Sequence, residues 1–321
     1  GVTASRYVVL AVPLALLFVA LAVLGRTVLG GTIAWNILLE SVAVSAALLA
    51  SFLGVGLFIS TFVTSQARSA TIALLVGTLA AVGIVRPRVV RKLRVAVITT
   101  GDELVGPGVA PTAYQIRNSN APMLAAMVAR CGGEAVSLGT ACDHADDLRE
   151  RLRRADGLDL VLTTGGVSVG DYDLVKQVLQ AEGRIDLWEV RIKPGKPLAF
   201  GWLGDTPLLG LPGNPVAAAV AFEQFARPAI RTMRGDRDLA LPTVMARLAG
   251  RVENRGGRRH YVRVAVTATA EGYVARVAGG QGSGVLSTLA KANGLLVIPE
   301  EVAAAEDGVS FPVQMLDWDL G

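Results

Sequence analysis

Hydrophobic and polar positions divide this chain into two textures. Residues 7–24 carry no charge, residues 36–63 are broken only by Glu40 and small polar residues, and residues 69–85 form a third apolar segment. A bilayer core takes roughly 20 apolar residues per helix, so the first two segments are read as membrane spans and the third as a shorter candidate. From Arg94 onward short apolar runs alternate with amphipathic ones. The pattern predicts strands at 94–100, 134–140, 158–164 and 207–211, helices at 118–131, 145–155, 174–181 and 216–233, and extended chain at 186–193 and 197–202. Such alternation belongs to an open, mostly parallel α/β sheet. Residues 240–318 change again, to Val-, Ala- and Gly-rich runs at 243–248, 261–267, 273–277, 294–299 and 310–315, which predict a small all-β domain. The expected organisation is apolar transmembrane helices over 1–85 (two or three spans), an α/β domain over 86–235, and a small β-barrel-like domain over 236–321.

Charge sharpens the division. Residues 1–85 hold only Arg6, Arg26, Glu40 and Arg68, whereas Arg86, Arg88, Arg91, Lys92 and Arg94 follow the third segment at once. The positive-inside rule places that end in the cytoplasm, so the expected location is a membrane with the later domains on its cytoplasmic face. Three spans would put the N-terminus outside, two inside. The net charge of +4 is small and no basic face interleaved with aromatics is present, which argues against nucleic acid as a partner. Cys131 and Cys142 are the only cysteines and are expected to be buried free thiols; His144 and His260 are too scattered for a zinc site.

The candidate chemistry sits where strands end. The run Thr163 to Asp173, TTGGVSVGDYD, follows an apolar strand and holds three glycines, small hydroxyls and two carboxylates in eleven residues. Glycines admit an anion close to backbone N–H groups, and carboxylates can hold a divalent cation that bridges phosphates. Alone, such a loop can be a plain turn. Its neighbours change the weight: GDE at 101–103, Asp143, IKPGKP at 192–197 and PGNP at 212–215 all fall at strand ends, where open α/β sheets bind ligands. Lys193 and Lys196 offer cations to an anion, and Glu103, Asp143 and Asp173 could share a magnesium ion. Asn214 is a candidate N-cap with Pro215 in the first turn, and the helix start adds N–H groups. The competing reading of each carboxylate is a helix cap or surface charge, and of the lysines a solvated turn. The loop at 279–284 is by itself read as a turn.

The ordered set TTGDELV (99–105), NSN (118–120), Asp143, TTGGVSVGDYD (163–173), IKPGKP (192–197), GLPGNP (210–215) and GQGSG (280–284) resembles the MoeA family of molybdopterin molybdenumtransferases, also represented by the E domain of gephyrin. The resemblance runs from about residue 77 to the end. It implies a MogA/MoeA-like molybdopterin-binding domain acting in molybdenum cofactor biosynthesis: adenylylated molybdopterin and molybdate as substrates, AMP released, Mg2+ in support. It implies metal or catalytic roles for Glu103, Asp143 and Asp173, with Lys193 toward molybdate or phosphate. Ligand contacts are expected from Thr100, Gly101, Asp102, Gly165, Gly166, Ser168, Gly170, Lys196, Pro212, Gly213, Asn214, Pro215 and Ser283. A homodimer is compatible with it. Two departures stand out. Glu189 occupies a position where the family commonly has lysine, and apolar helices stand in place of the family's N-terminal half. The alternative expectation is therefore a catalytically impaired molybdopterin–adenylate binding module in a truncated or chimeric membrane protein. Residues 7–75, with the Ser/Gln turn near Gln66, resemble a span of export-type ABC transporter permeases.

Overall fold

The computed structural model describes residues 66–166 and 174–316, which fall into two units dividing between Val89 and Val90. In the first unit, α1 (Gln66–Ala81) has 16 residues. At 1.5 Å per residue it is about 24 Å long, short of a hydrocarbon core of roughly 30 Å. Among the described residues no helix is long and apolar enough to cross a membrane, α1 included. The segments at 7–24 and 36–63 lie outside the described residues.

The second unit runs β1 (Arg94–Thr100), the two-residue strands β2 (Leu104–Val105) and β3 (Ile116–Arg117), α2 (Asn120–Arg130), β4 (Glu134–Ala141), α3 (Ala145–Arg153), β5 (Leu160–Thr164), α4 (Leu174–Glu182), β6 (Arg184–Glu189), β7 (Ile192–Lys193), β8 (Pro197–Leu203), β9 (Thr206–Leu211) and α5 (Pro215–Ala221). One π-helical turn, Phe222–Ala226, joins α5 to α6 (Arg227–Met233). The expected single helix over 216–233 is thus interrupted. Pro228 has no N–H and its ring crowds the carbonyl four residues earlier, which accounts for the wider turn just before it.

The main sheet has the order β4-β1-β5-β9-β8-β6. The first four strands are parallel, and β8 and β6 are antiparallel additions. Alternation along the strands sorts two cores. Val95, Val97, Leu160, Leu162, Leu209 and Leu211 pack with Leu124, Val128, Ala218 and Phe222 of the helices on one face. Ala96, Ile98, Val161 and Leu208 pack with Leu148, Leu152, Val175 and Leu179 on the other. Burial on both faces explains the nearly unbroken apolar runs of β1 and β5.

The remaining elements are β10 (Thr243–Ala249), β11 (Val252–Glu253), β12 (Arg259–Thr269), β13 (Gly272–Val277), α7 (Ser287–Lys291), β14 (Gly294–Ile298), β15 (Ala304–Ala305) and β16 (Ser310–Met315). Strands β13-β10-β16-β14-β12 form a sheet that closes through pairing of β12 with β13. Val262, Val264, Leu296 and Val313 fill its interior. At its other end β12 pairs in parallel with β7, Arg259 opposite Ile192 and His260 opposite Lys193.

Candidate functional site

Parallel pairing brings the carboxyl ends of β4, β1, β5 and β9 to one edge. Because β8 and β6 run the opposite way to their neighbours, the start of β8 and the end of β6 arrive at that edge too: Ala199 pairs with Gly210, and Pro197 with Glu189. The Gly101–Glu103, Asp143, Gly165–Gly166, Lys196 and Pro212–Asn214 segments therefore share one rim.

Beneath the rim lies a network of small neutral side chains. Thr99 Oγ1 and Thr140 Oγ1 are 2.9 Å apart, and Asn118 Nδ2 donates to both at 2.8 and 3.2 Å. Asn118 Oδ1 accepts the Ala121 N–H at the start of α2. Asn120 Nδ2 donates to Thr164 Oγ1 (2.8 Å) and to the Gly213 carbonyl (2.7 Å), and Thr164 Oγ1 donates to the Pro212 carbonyl (2.8 Å). The tips of β1, β4, β5 and β9 are thus tied together. Asn118, Asn120, Thr99 and Thr164 are all buried, and buried polar groups are stable only when paired.

Three buried oxygens of this network remain unpaired: Thr100 Oγ1, Thr163 Oγ1 and Asn120 Oδ1. Thr100 is the informative one. Gly165 and Gly166 have φ of 84° and 62°, and a Cβ on Gly165 would lie 2.6 Å from the Thr100 carbonyl oxygen and 2.7 Å from its Oγ1. Only glycine fits that approach. The result is a glycine turn at the end of β5 packed closely against the end of β1, with the buried Thr100 hydroxyl left unpaired between them.

Two of the described carboxylates meet at the rim. Asp102 and Asp143 bond reciprocally, the Asp143 N–H to Asp102 Oδ1 at 3.0 Å and the Asp102 N–H to Asp143 Oδ2 at 3.4 Å. Glu103 folds back over Gly101. Among the described residues no three His, Cys, Asp or Glu side chains are grouped to hold a metal. Asp173, Ser168 and Gly170 lie outside the described residues. Of the cysteines, Cys131 is buried as expected, but Cys142, just after β4, is exposed, which corrects that expectation.

The two lysines diverge. Lys196 forms an ion pair with Glu189 at 3.2 Å. Lys193 makes no ion pair among the described residues and, with His260, Arg276 and Gln281, lines a cavity on the barrel side. His260 is buried with an unpaired Nδ1, and burial, then Lys193, Arg263 and Arg258, push its pKa down to about 4.

Asn214 holds the N-cap position and Pro215 the first turn, as expected, but Asn214 makes no capping bond. Its Nδ2 donates to Ser283 Oγ at 3.0 Å instead, and the Val216 N–H donates to the Ser283 carbonyl at 3.1 Å. The barrel loop therefore occupies one of the helix-start donors expected for an anion. Arg263, fully buried, fixes that loop: it donates to Thr288 Oγ1 (2.9 Å) and to the carbonyls of Gly280 (3.0 Å) and Gly282 (3.1 Å). Sequence reasoning did not single out Arg263, weighed His260 only as a zinc ligand, and gave Thr164 no role of its own within its loop. The signals were an arginine inside the apolar run YVRVAV, and the repeated TTG at the ends of β1 and β5.

Residues 96–232 match the family described as a probable molybdopterin binding domain, and residues 245–316 the MoeA C-terminal region (domain IV). The molybdopterin molybdenumtransferase of Haemophilus influenzae is 33% identical over 246 residues, covering 76% of this chain and 61% of that protein. Molybdopterin molybdenumtransferase 2 of Mycobacterium tuberculosis is 38% identical over 251 residues, covering 76% and 60%. A crystal structure of the molybdopterin biosynthesis MoeA protein from a Pyrococcus species superposes with a TM-score of 0.65 at 29% identity, covering 78% of this chain and 59% of that one. A molybdenum cofactor biosynthesis protein from Pyrococcus furiosus gives 0.56 at 29% identity, covering 74% and 73%. The chain spans about three fifths of the length of these curated relatives.

Proposed function

Because residues 96–316 form a MoeA-like region, we propose that this protein acts in molybdenum cofactor biosynthesis, taking adenylylated molybdopterin and molybdate and releasing AMP. The observation that carries the reading is the glycine turn at the end of β5, packed against the end of β1. Its two positive-φ glycines and the unsatisfied Thr100 hydroxyl suit a phosphate oxygen approaching the backbone. The rim formed by 101–103, 143, 165–166, 196 and 212–214 would hold the nucleotide–pterin, with Ser283 closing it from the barrel. Lys193 and Lys196 are the cations nearest in role to the oxyanion. Thr100 would donate to a ligand oxygen, and the Asn118 and Asn120 bonds would keep the rim from shifting as the ligand binds.

The described carboxylates alone do not form a magnesium site, since no three metal-ligating side chains are grouped among them: Asp102 and Asp143 bond each other's backbone and Glu103 lies over Gly101. The reading therefore gives the metal no step.

A second reading is binding without turnover. It is favoured by Glu189, whose carboxylate occupies Lys196. The full chain incubated with adenylylated molybdopterin, magnesium and molybdate is expected to release AMP, followed by chromatography. Tight nucleotide–pterin binding with no AMP above background selects the second reading, and absence of both binding and release rejects both.

A further inference from the structure

The end of β6 and the start of β8 form a hairpin-like pair at the ligand rim. Glu189 stands beside the returning strand, its Cα opposite Pro197, and the Val190 N–H donates to the Lys196 carbonyl at 3.1 Å. The backbone thus fixes both residues, and Glu189 Oε2 comes to rest 3.2 Å from Lys196 Nζ. Their side chains are 40% and 45% exposed, so this is a surface ion pair. Such pairs are worth roughly 0–1 kcal/mol, weak enough for an incoming anion to displace. Asp102, Glu103 and Asp143 lie at the β1–β4 end of the rim and Lys196 at its β8–β6 end, while Lys193 lines the barrel-side cavity.

We propose that Glu189 is an affinity-setting residue: an internal competitor that holds Lys196 and must be displaced before an oxyanion can use it. The pair acts as a latch. It lowers affinity for any singly placed oxyanion and favours a ligand with enough further contacts to open it, such as one that also reaches the Gly165–Gly166 turn. This rests on the reading of the rim as an oxyanion site.

The test is isothermal titration of the full chain with sodium molybdate, and separately with AMP, at fixed ionic strength, for wild type, Glu189→Gln, Lys196→Gln and the double variant. Glu189→Gln is expected to tighten molybdate binding by about threefold to fivefold, the factor corresponding to loss of a surface pair. Lys196→Gln is expected to weaken it, and the gain from Glu189→Gln should vanish in the Lys196→Gln background. Equal affinity of wild type and Glu189→Gln, with Lys196→Gln weakened, overturns the latch and leaves the rim as an oxyanion site. The same gain with and without Lys196 also overturns it, since Glu189 would then act only as a diffuse charge. No binding of molybdate or AMP by any of the four proteins overturns the latch together with the oxyanion reading on which it rests.

Discussion

The rim of the α/β sheet and the 280–284 loop of the barrel meet at Asn214 and Ser283, yet they are held by opposite means. The rim rests on small neutral groups: Thr99, Thr140 and Asn118 on one side, Thr164 and Asn120 on the other. Each contributes on the order of 1 kcal/mol and none carries a charge into the interior. The barrel loop rests on Arg263, a fully buried guanidinium that donates to Thr288 and two loop carbonyls, while its NH1 stays unpaired. Burial lowers its pKa. A distributed neutral network fails gradually; a single buried cation concentrates the risk in one residue.

The largest test of that contrast is Arg263→Ala. It should leave a cavity and three unpaired acceptors and destabilise the protein by about 3–5 kcal/mol, read by urea unfolding. A loss below about 1 kcal/mol would show that the loop holds itself.

Titration separates the regions next. The His260 pKa of about 4 lies below its unfolded value of 6.5. Between those values the unfolded chain binds the proton and the folded chain does not. Stability is therefore lost as pH falls from 6.5 toward 4, by up to about 3 kcal/mol, and this cost is absent above 6.5. His260→Gln should remove this part of the pH slope, measured as the difference in unfolding free energy between variant and wild type at pH 4.5 and 7.

On the rim, Asn120→Ala should cost about 2 kcal/mol, because Thr164 and Gly213 lose a buried donor, and it should leave the His260-linked slope unchanged. Smallest is Asn214→Ala, about 0.5–1 kcal/mol in stability, but with weaker nucleotide–pterin binding if the Asn214–Ser283 bond sets how the loop meets the rim. An intact affinity in that variant would separate the barrel loop from the site.

The layered fold was legible because β1 and β5 are buried on both faces and the helices carry apolar residues at 3.6 spacing. The strand-end candidates were legible for the same reason: once strands are placed, their carboxyl ends follow. What the sequence did not reveal depended on pairing between distant segments. That Glu189 faces Lys196 follows only from the antiparallel register of β6 and β8. Asn214 reads as a cap by residue type, but its side-chain oxygen makes no capping bond and its Nδ2 reaches a serine 69 positions away. Arg263 alternates with Val262 and Val264 of the barrel interior, so the pattern places it on the outer face, and only the distant 280–288 segment that covers it makes it buried. The loop residues Ser168, Gly170 and Asp173 lie outside the described residues and add nothing to this comparison.

Strand β12 serves two masters: its first residues pair with β7, which the chain makes some 65 residues earlier, and its later ones close the barrel. A gene cut between the two domains would therefore sever a shared hydrogen-bonded ladder. Neither fragment would inherit a finished edge, and each would expose unpaired backbone ready to join another chain. Recombination that transplants the barrel onto a different partner would have to carry the β7 hairpin with it, which makes the portable module discontinuous in sequence.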